Sequence, residues 1–153
     1  MPGASVFIDS NTFLYTLDEA ERDKCSSAKV WLNTLTIRNS GVTNLQVLNE
    51  VTNVITRKIA KFGSDDPFFR VDAFAAFGSN PLTNAAGMKA RALFLRYRYA
   101  WWDCLLLASA LELGCTHFLS EDLQDGQRIA ISPEQSLTII NPFAHSPEQI
   151  LSR

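Results

Sequence analysis

Two hydrophobic periodicities divide this chain. Short unbroken apolar runs predict buried strands, and apolar residues recurring every three or four positions predict helices. Ser5-Val6-Phe7-Ile8 predicts a strand ending at Asp9, after which Ser10-Asn11 opens a brief helix over 12–16. A longer helix over 23–38 carries Ala28, Trp31, Leu32 and Leu35 on one stripe. Gly41-Val42-Thr43 predicts a second strand, and Asn44 an N-cap for a helix over 45–61. Asp66-Pro67 reads as an N-cap followed by proline at the first helical position, opening a helix to about 77. Gly78-Ser79-Asn80-Pro81 is the clearest loop. Helices over 84–97 and 100–113 follow, the second ended by Gly114. Thr116-His117-Phe118-Leu119 predicts a strand running into Ser120-Glu121-Asp122, Asp125-Gly126 a turn, and 136–140 a last strand. Strands alternating with helices predict an α/β fold with a mostly parallel sheet, built as a three-layer α/β/α sandwich. No repeat, linker or low-complexity segment interrupts the pattern, so 1–153 is expected to be a single domain.

Composition narrows the class. With 46% hydrophobic and 20% charged residues in 153, the chain can bury a real core and is not of the disordered type. A net charge of −2 gives no global basic signature, so contact with nucleic acid requires a local patch. The start, Met1-Pro2-Gly3-Ala4, lacks the charged segment of a secretory leader. The most apolar stretch, 100–113, is broken by Asp103 and Glu112 and is shorter than a bilayer requires. Cys25, Cys104 and Cys115 are odd in number and lack CxxC spacing, which disfavours a zinc cage or disulfide framework. A reducing, cytoplasmic setting fits these features best.

The candidate chemistry is acidic. Asp9, Glu50, Asp103 and Asp122 each interrupt or directly follow a hydrophobic segment. Buried carboxylates are costly unless paired or bound to a cation, so four of them point to one shared site. Asp9 and Asp122 both end strands, the edge where open α/β sheets hold ligands. The plainer readings are a helix cap for Asp9 and a solvated turn acid for Asp122, with Asp125 a possible substitute in the same loop. Glu50 shares a helical stripe with Val47 and Val54, with Val51 beside it. Its ordinary explanation is a boundary residue paired to Arg57 or Lys58. Asp103 has Ala100, Leu106, Leu107 and Ala110 as helical neighbours and is expected to be buried. Its ordinary explanation is a buried ion pair with Arg96 or Arg98.

Mg²⁺ and Mn²⁺ prefer oxygen ligands, and two such ions could clamp both oxygens of a phosphodiester under attack. His117 and His145 lie in unrelated places, which disfavours a histidine-based hydrolase. The segment 89–102 interleaves Lys89, Arg91, Arg96 and Arg98 with Phe94, Tyr97, Tyr99, Trp101 and Trp102. Basic side chains contact phosphates and aromatic faces stack on unpaired bases, so Arg91, Arg96 and Arg98 are candidate RNA contacts. A solvated basic face backed by core aromatics is the competing reading.

Together, four segments resemble PIN-domain ribonucleases, specifically the VapC-type toxins of bacterial toxin–antitoxin pairs. Val6-Phe7-Ile8-Asp9-Ser10-Asn11 resembles the opening strand and its Asp-Thr/Ser-Asn signature. The segments 44–51 and 102–110 resemble the helices bearing the glutamate and the third acid. The segment 119–127, with Asn141-Pro142-Phe143, resembles the closing part. The resemblance implies Asp9, Glu50, Asp103 and Asp122 as catalytic acids and Asp9 and Asp103 as principal metal ligands, with Ser10 and Asn11 supporting Asp9. It implies Mg²⁺-dependent cleavage of single-stranded RNA by metal-activated water, Mn²⁺ being a plausible substitute. It also implies a homodimer and silencing by a small VapB-like antitoxin, expected in the groove between the Glu50 helix and the basic-aromatic segment. Asp125 departs from the pattern, where a basic or neutral residue is expected, and that extra charge bears on metal affinity or substrate choice.

Other classes fit less well. A haloacid-dehalogenase-like phosphatase needs a second aspartate where Asn11 stands. A response-regulator receiver needs paired acids near the first strand and a late lysine, and Ser120-Glu121-Asp122 offers none. A catalytically silent PIN-like binding module and a housekeeping RNA-processing nuclease remain as alternatives.

Overall fold

A computed structural model describes residues 3–62 and 66–151; Met1 and Pro2, part of the leader reading, lie outside the described residues. The chain runs β1 (Val6–Ile8), α1 (Ser10–Tyr15), α2 (Arg22–Arg38), β2 (Gly41–Val42), α3 (Leu45–Arg57), α4 (Ile59–Phe62) and α5 (Phe68–Phe74). It continues through a 3₁₀ turn (Ala75–Phe77) to α6 (Asn84–Tyr97), α7 (Trp101–Glu112), β3 (His117–Leu119), β4 (Arg128–Ala130), β5 (Ser136–Ile140) and α8 (Pro147–Ile150). One five-stranded sheet has the order β2-β1-β3-β5-β4, parallel except for the β4–β5 pair. Every residue of β1 is buried, as a strand covered on both faces requires. The expected mostly parallel α/β/α sandwich is the architecture observed.

The core is continuous across the layers. Phe7 on β1 stacks on Phe118 of β3 with ring centroids 5.1 Å apart. Trp31 of α2 is buried, and its indole N–H donates to the carbonyls of Pro142 and His145, at 2.9 and 3.0 Å. One buried tryptophan thus anchors the C-terminal segment to the sandwich. All three cysteines are buried and free. No helix among the described residues is long and apolar enough to cross a membrane.

Four elements differ from expectation. The helix over 45–61 breaks at Lys58, whose N–H is shared between the Val54 and Ile55 carbonyls. Beyond Ile55 no residue of this stretch is buried, so no packing holds the chain in one long helix. The helix from Asp66-Pro67 begins at Phe68, with the Asp66 carboxylate accepting from the Phe68 N–H at 2.9 Å. It tightens into the 3₁₀ turn before Gly78, where φ is 132° and a Cβ would stand 2.8 Å from the Thr43 carbonyl oxygen. Strand β4 and helix α8 were not anticipated. The first has only three residues and pairs antiparallel with β5 across the short connection 131–135, so too few positions alternate to mark it as a strand. The second opens with a reciprocal Ser146–Gln149 capping box, a local signal that was there to be read.

Candidate active site

The sheet order turns in opposite directions from β1, toward β2 on one side and β3 on the other. Such a switch point opens a crevice at the carboxyl ends of the strands. Ile8 and Leu119 are paired in register, so the segments that follow them leave the sheet at one level. Asp9 leaves from β1 and Ser120-Glu121-Asp122 from β3.

Each acid is set by its local backbone. Asp9 is partly buried and caps α1, its Oδ1 accepting from the Ser10 N–H at 2.6 Å. The capping role is therefore real and leaves the second oxygen for other work. The Asn11 amide donates to Asp122 Oδ2 at 3.2 Å. Ser10 and Asn11 thus hold Asp9 and Asp122, one each.

Glu50 stands on α3, with the Gln46 amide one turn earlier donating to it at 3.4 Å. Asp103 lies in the first turn of α7 and is only half-buried, a correction to the expected full burial. The fully buried part of α7 begins at Cys104, so the acid sits at the rim of the core, near the positive end of the helix dipole. The Ser120 hydroxyl accepts from the N–H groups of Asp122 and Leu123, both at 3.3 Å, turning the chain after β3.

The two helices are locked together by one residue that the sequence marked only as a cap. Asn44 is fully buried, and its Oδ1 caps α3 by accepting from the Val47 N–H at 2.9 Å. Its Nδ2 donates to Ser109 Oγ on α7, also at 2.9 Å. Thr43, equally buried, donates its hydroxyl to the Ile8 carbonyl at 3.0 Å. Asn44 and Thr43 therefore fix the elements bearing Glu50, Asp103 and Asp9 relative to one another. Only burial distinguishes Asn44 from an ordinary cap residue and Thr43 from an ordinary strand end, and burial is not legible locally.

The acids feel each other's charge. Burial pushes the Asp9 carboxyl up to about 7, against the Ser10 N–H bond, and the charges of Glu50 and Asp103 push the same way. Burial likewise raises Glu50, with Asp103 adding to it while Gln46 and Ser10 oppose. Burial raises Asp103, and Asp122 adds to that. No basic side chain pairs with any of the four among the described residues. The ion pairs considered for Glu50 and for Asp103 are therefore not formed. Among the described residues no three acidic, histidine or cysteine side chains form a ready-made metal cage. The arrangement is an open edge of uncompensated carboxylate oxygens, the donor set that Mg²⁺ takes with one or two carboxylates and solvent.

Other candidates go elsewhere. Asp125 faces the C-terminal segment: Oδ1 accepts from the Asn141 N–H at 2.8 Å and Oδ2 lies 2.7 Å from His145 Nε2. The Asn141 bond first, then His145, hold its carboxyl below the usual range. Glu121 turns away from the acids to Lys24 at 2.8 Å and to the Tyr15 hydroxyl at 3.0 Å. Arg91, Arg96 and Arg98 are exposed. Arg96 reaches the Ala130 carbonyl at 3.4 Å and Arg98 lies over the Phe94 ring. The aromatics between them divide in role. The Tyr97 hydroxyl receives the Ala130 N–H at 2.9 Å and Tyr99 bonds Gln127, whereas Trp101 and Trp102 stay exposed.

A mostly parallel sheet with Asp9 and Asp122 following the carboxyl ends of β1 and β3 describes a broad class of α/β proteins, and comparison makes the class specific. The PIN domain family model matches residues 6–130, and the chain belongs to that family. Among curated proteins none matches significantly. Solved structures share the fold. A toxin–antitoxin complex from Klebsiella pneumoniae aligns with TM-score 0.59 and 16% identity over 90% of this chain and 98% of that one. VapBC2 from Rickettsia felis, bound to a DNA fragment from its promoter, aligns at 0.64 and 13% identity over 89% and 97%. Mycobacterium tuberculosis VapC20, a sarcin-ricin loop cleaving toxin, aligns at 0.53 and 16% identity over 74% and 87%.

Proposed function

We propose that this chain is a VapC-type endoribonuclease, the toxin of a toxin–antitoxin pair, hydrolysing single-stranded RNA at Asp9, Glu50, Asp103 and Asp122. The observation that carries this reading is four electrostatically coupled carboxylates with no basic partner among the described residues. Mutual repulsion of this kind is relieved by a divalent cation. Asp9 and Asp103 would hold Mg²⁺, or Mn²⁺ in its place, which supplies Lewis-acid polarisation of the phosphodiester and activation of water. Ser10 would orient Asp9, Asn11 Asp122 and Gln46 Glu50 through the bonds described above. Glu50, its carboxyl raised by burial, is suited to take a proton from the attacking water at its Oε atoms.

Family membership and fold neighbours that are toxin–antitoxin proteins support the biological side of the reading. A VapB-like antitoxin would silence the enzyme by setting a basic side chain among the acids, satisfying their charge. Arg91, Arg96 and Arg98 would neutralise substrate phosphates. A homodimer in a reducing cytoplasm completes the expectation.

Incubation of purified protein with single-stranded RNA tests the proposal. Cleavage should require Mg²⁺ or Mn²⁺ and stop in EDTA. Asp103→Asn removes one charge at nearly constant volume, and should keep the fold while losing most activity. Equal cleavage in EDTA would refute the mechanism, and full activity of the variant would reassign Asp103 to a structural role.

A further inference from the structure

Beside the acids lies a groove of about 530 Å³, of whose lining the chemistry above uses Glu50 and its partner Gln46. Helix α3 contributes Gln46, Asn49 and Asn53, while Pro81, Leu82 and Trp102 line it from the loop before α6 and the start of α7. Gln46, Glu50 and Asn53 recur at helical spacing, so one stripe carries both an acid of the site and the carboxamides of the groove. Asparagine is a poor helix former, yet Asn49 and Asn53 both sit inside α3 with exposed side chains. The Gln46 amide donates to Glu50, and its Oε1 has no hydrogen-bond partner among the described residues. Trp102, next to Asp103, is 64% exposed although it carries the largest apolar surface of any residue type.

The lining selects the occupant. Among the described residues Glu50 is its only charged member, so a phosphate or carboxylate would be repelled. A purely apolar side chain would leave the carboxamides unmatched. A flat, neutral heteroaromatic ring with donors and acceptors along its edge meets both demands. We propose that this groove is a subsite for one nucleobase of a single strand whose phosphodiester lies at the acids. The base stacks on Trp102, and Asn49 and Asn53 read its edge, as carboxamides do with unpaired bases. The inference rests on the nuclease reading and names the residues that set its sequence preference. An antitoxin lying across the groove would then inhibit by excluding the base.

The test measures equilibrium binding of the full chain to four single-stranded RNA homopolymers of equal length, in Ca²⁺. Cleavage of a random-sequence strand in Mg²⁺ is followed in parallel. One homopolymer should bind best. Trp102→Ala should weaken that binding roughly tenfold to a hundredfold, and Trp102→Phe should retain most of it. Asn49→Ala with Asn53→Ala should bring the four affinities together and blur the cleavage-site preference. Equal binding of all four by the parent chain, or a preference unmoved by these variants while cleavage persists, overturns the subsite and leaves the nuclease reading intact. Base-selective binding that depends on Trp102, without cleavage in any metal, sinks the nuclease reading and keeps the subsite. If no homopolymer binds but an arginine-containing peptide does so through Trp102, the groove is a protein-docking site and the proposal is wrong.

Discussion

Asp9 shows how a single residue can cap a helix and still carry a cost to the fold. Its carboxyl lies at about 7 in the folded chain against an ordinary 3.8. Between those values the folded state binds more protons than the unfolded chain. Stability contributed at this position is therefore fully present below about 3.8, falls as pH rises, and is lost above about 7. In metal-free buffer, Asp9→Asn should be more stable than the parent above pH 7, by a margin on the order of a few kcal/mol. The two proteins should converge near pH 4. Urea denaturation across this range checks the expectation, and parallel pH profiles would remove the buried charge from the account. Added Mg²⁺ or Mn²⁺ should stabilise the parent and not the variant, because only a ligand of the folded state shifts the equilibrium.

Among elements, the joint between α3 and α7 matters most. Both helices were legible from their apolar periodicity, and the Asn44 cap was legible from its residue type. That the same side chain reaches Ser109 on α7 was not legible, because 65 residues separate the two. Asn44→Ala should cost about 2–4 kcal/mol, from roughly 1 for the cap and roughly 1–3 for the stranded Ser109 hydroxyl. Urea midpoints would measure this. RNA cleavage should fall further than stability alone explains, because Glu50 and Asp103 lose their common reference. A variant of undiminished activity would show that the metal and substrate can align the helices unaided. The limits of local reading are equally clear at Lys58, where a well-patterned helix stops once its apolar face finds nothing to pack against.

On the scale of the molecule, charge is unevenly arranged: the acids hold the sheet edge while Arg91, Arg96 and Arg98 stand exposed around the end of α6. If these arginines neutralise phosphates, their combined replacement by alanine should lower the salt dependence of RNA binding by roughly 0.7 per lost contact. Binding titrations over a range of salt give the slope, and an unchanged slope would make the basic run ordinary surface. Expression of the chain without an antitoxin should arrest bacterial growth, and Asp9→Asn should relieve the arrest. Normal growth on strong induction of soluble parent protein would favour a housekeeping nuclease or a silent PIN-like module.

Sequence by itself determined the order and type of most elements and the parallel sheet, and it singled out four candidate acids. These rest on local periodicity, and on carboxylates conspicuous in apolar surroundings. Tertiary structure decided what those acids have for neighbours. It placed Asp103 at the rim of the core, turned Asp125 to His145 and Glu121 to Lys24, and left Glu50 unpaired to Arg57 or Lys58, about two helical turns away. It also divided the aromatics of 94–102 into tyrosines that hold the backbone and tryptophans that face solvent. The reason is physical. Periodicity reports which face of an element is buried, but the partner of a polar group is set by packing between segments distant in sequence, and that distance carries no local signal.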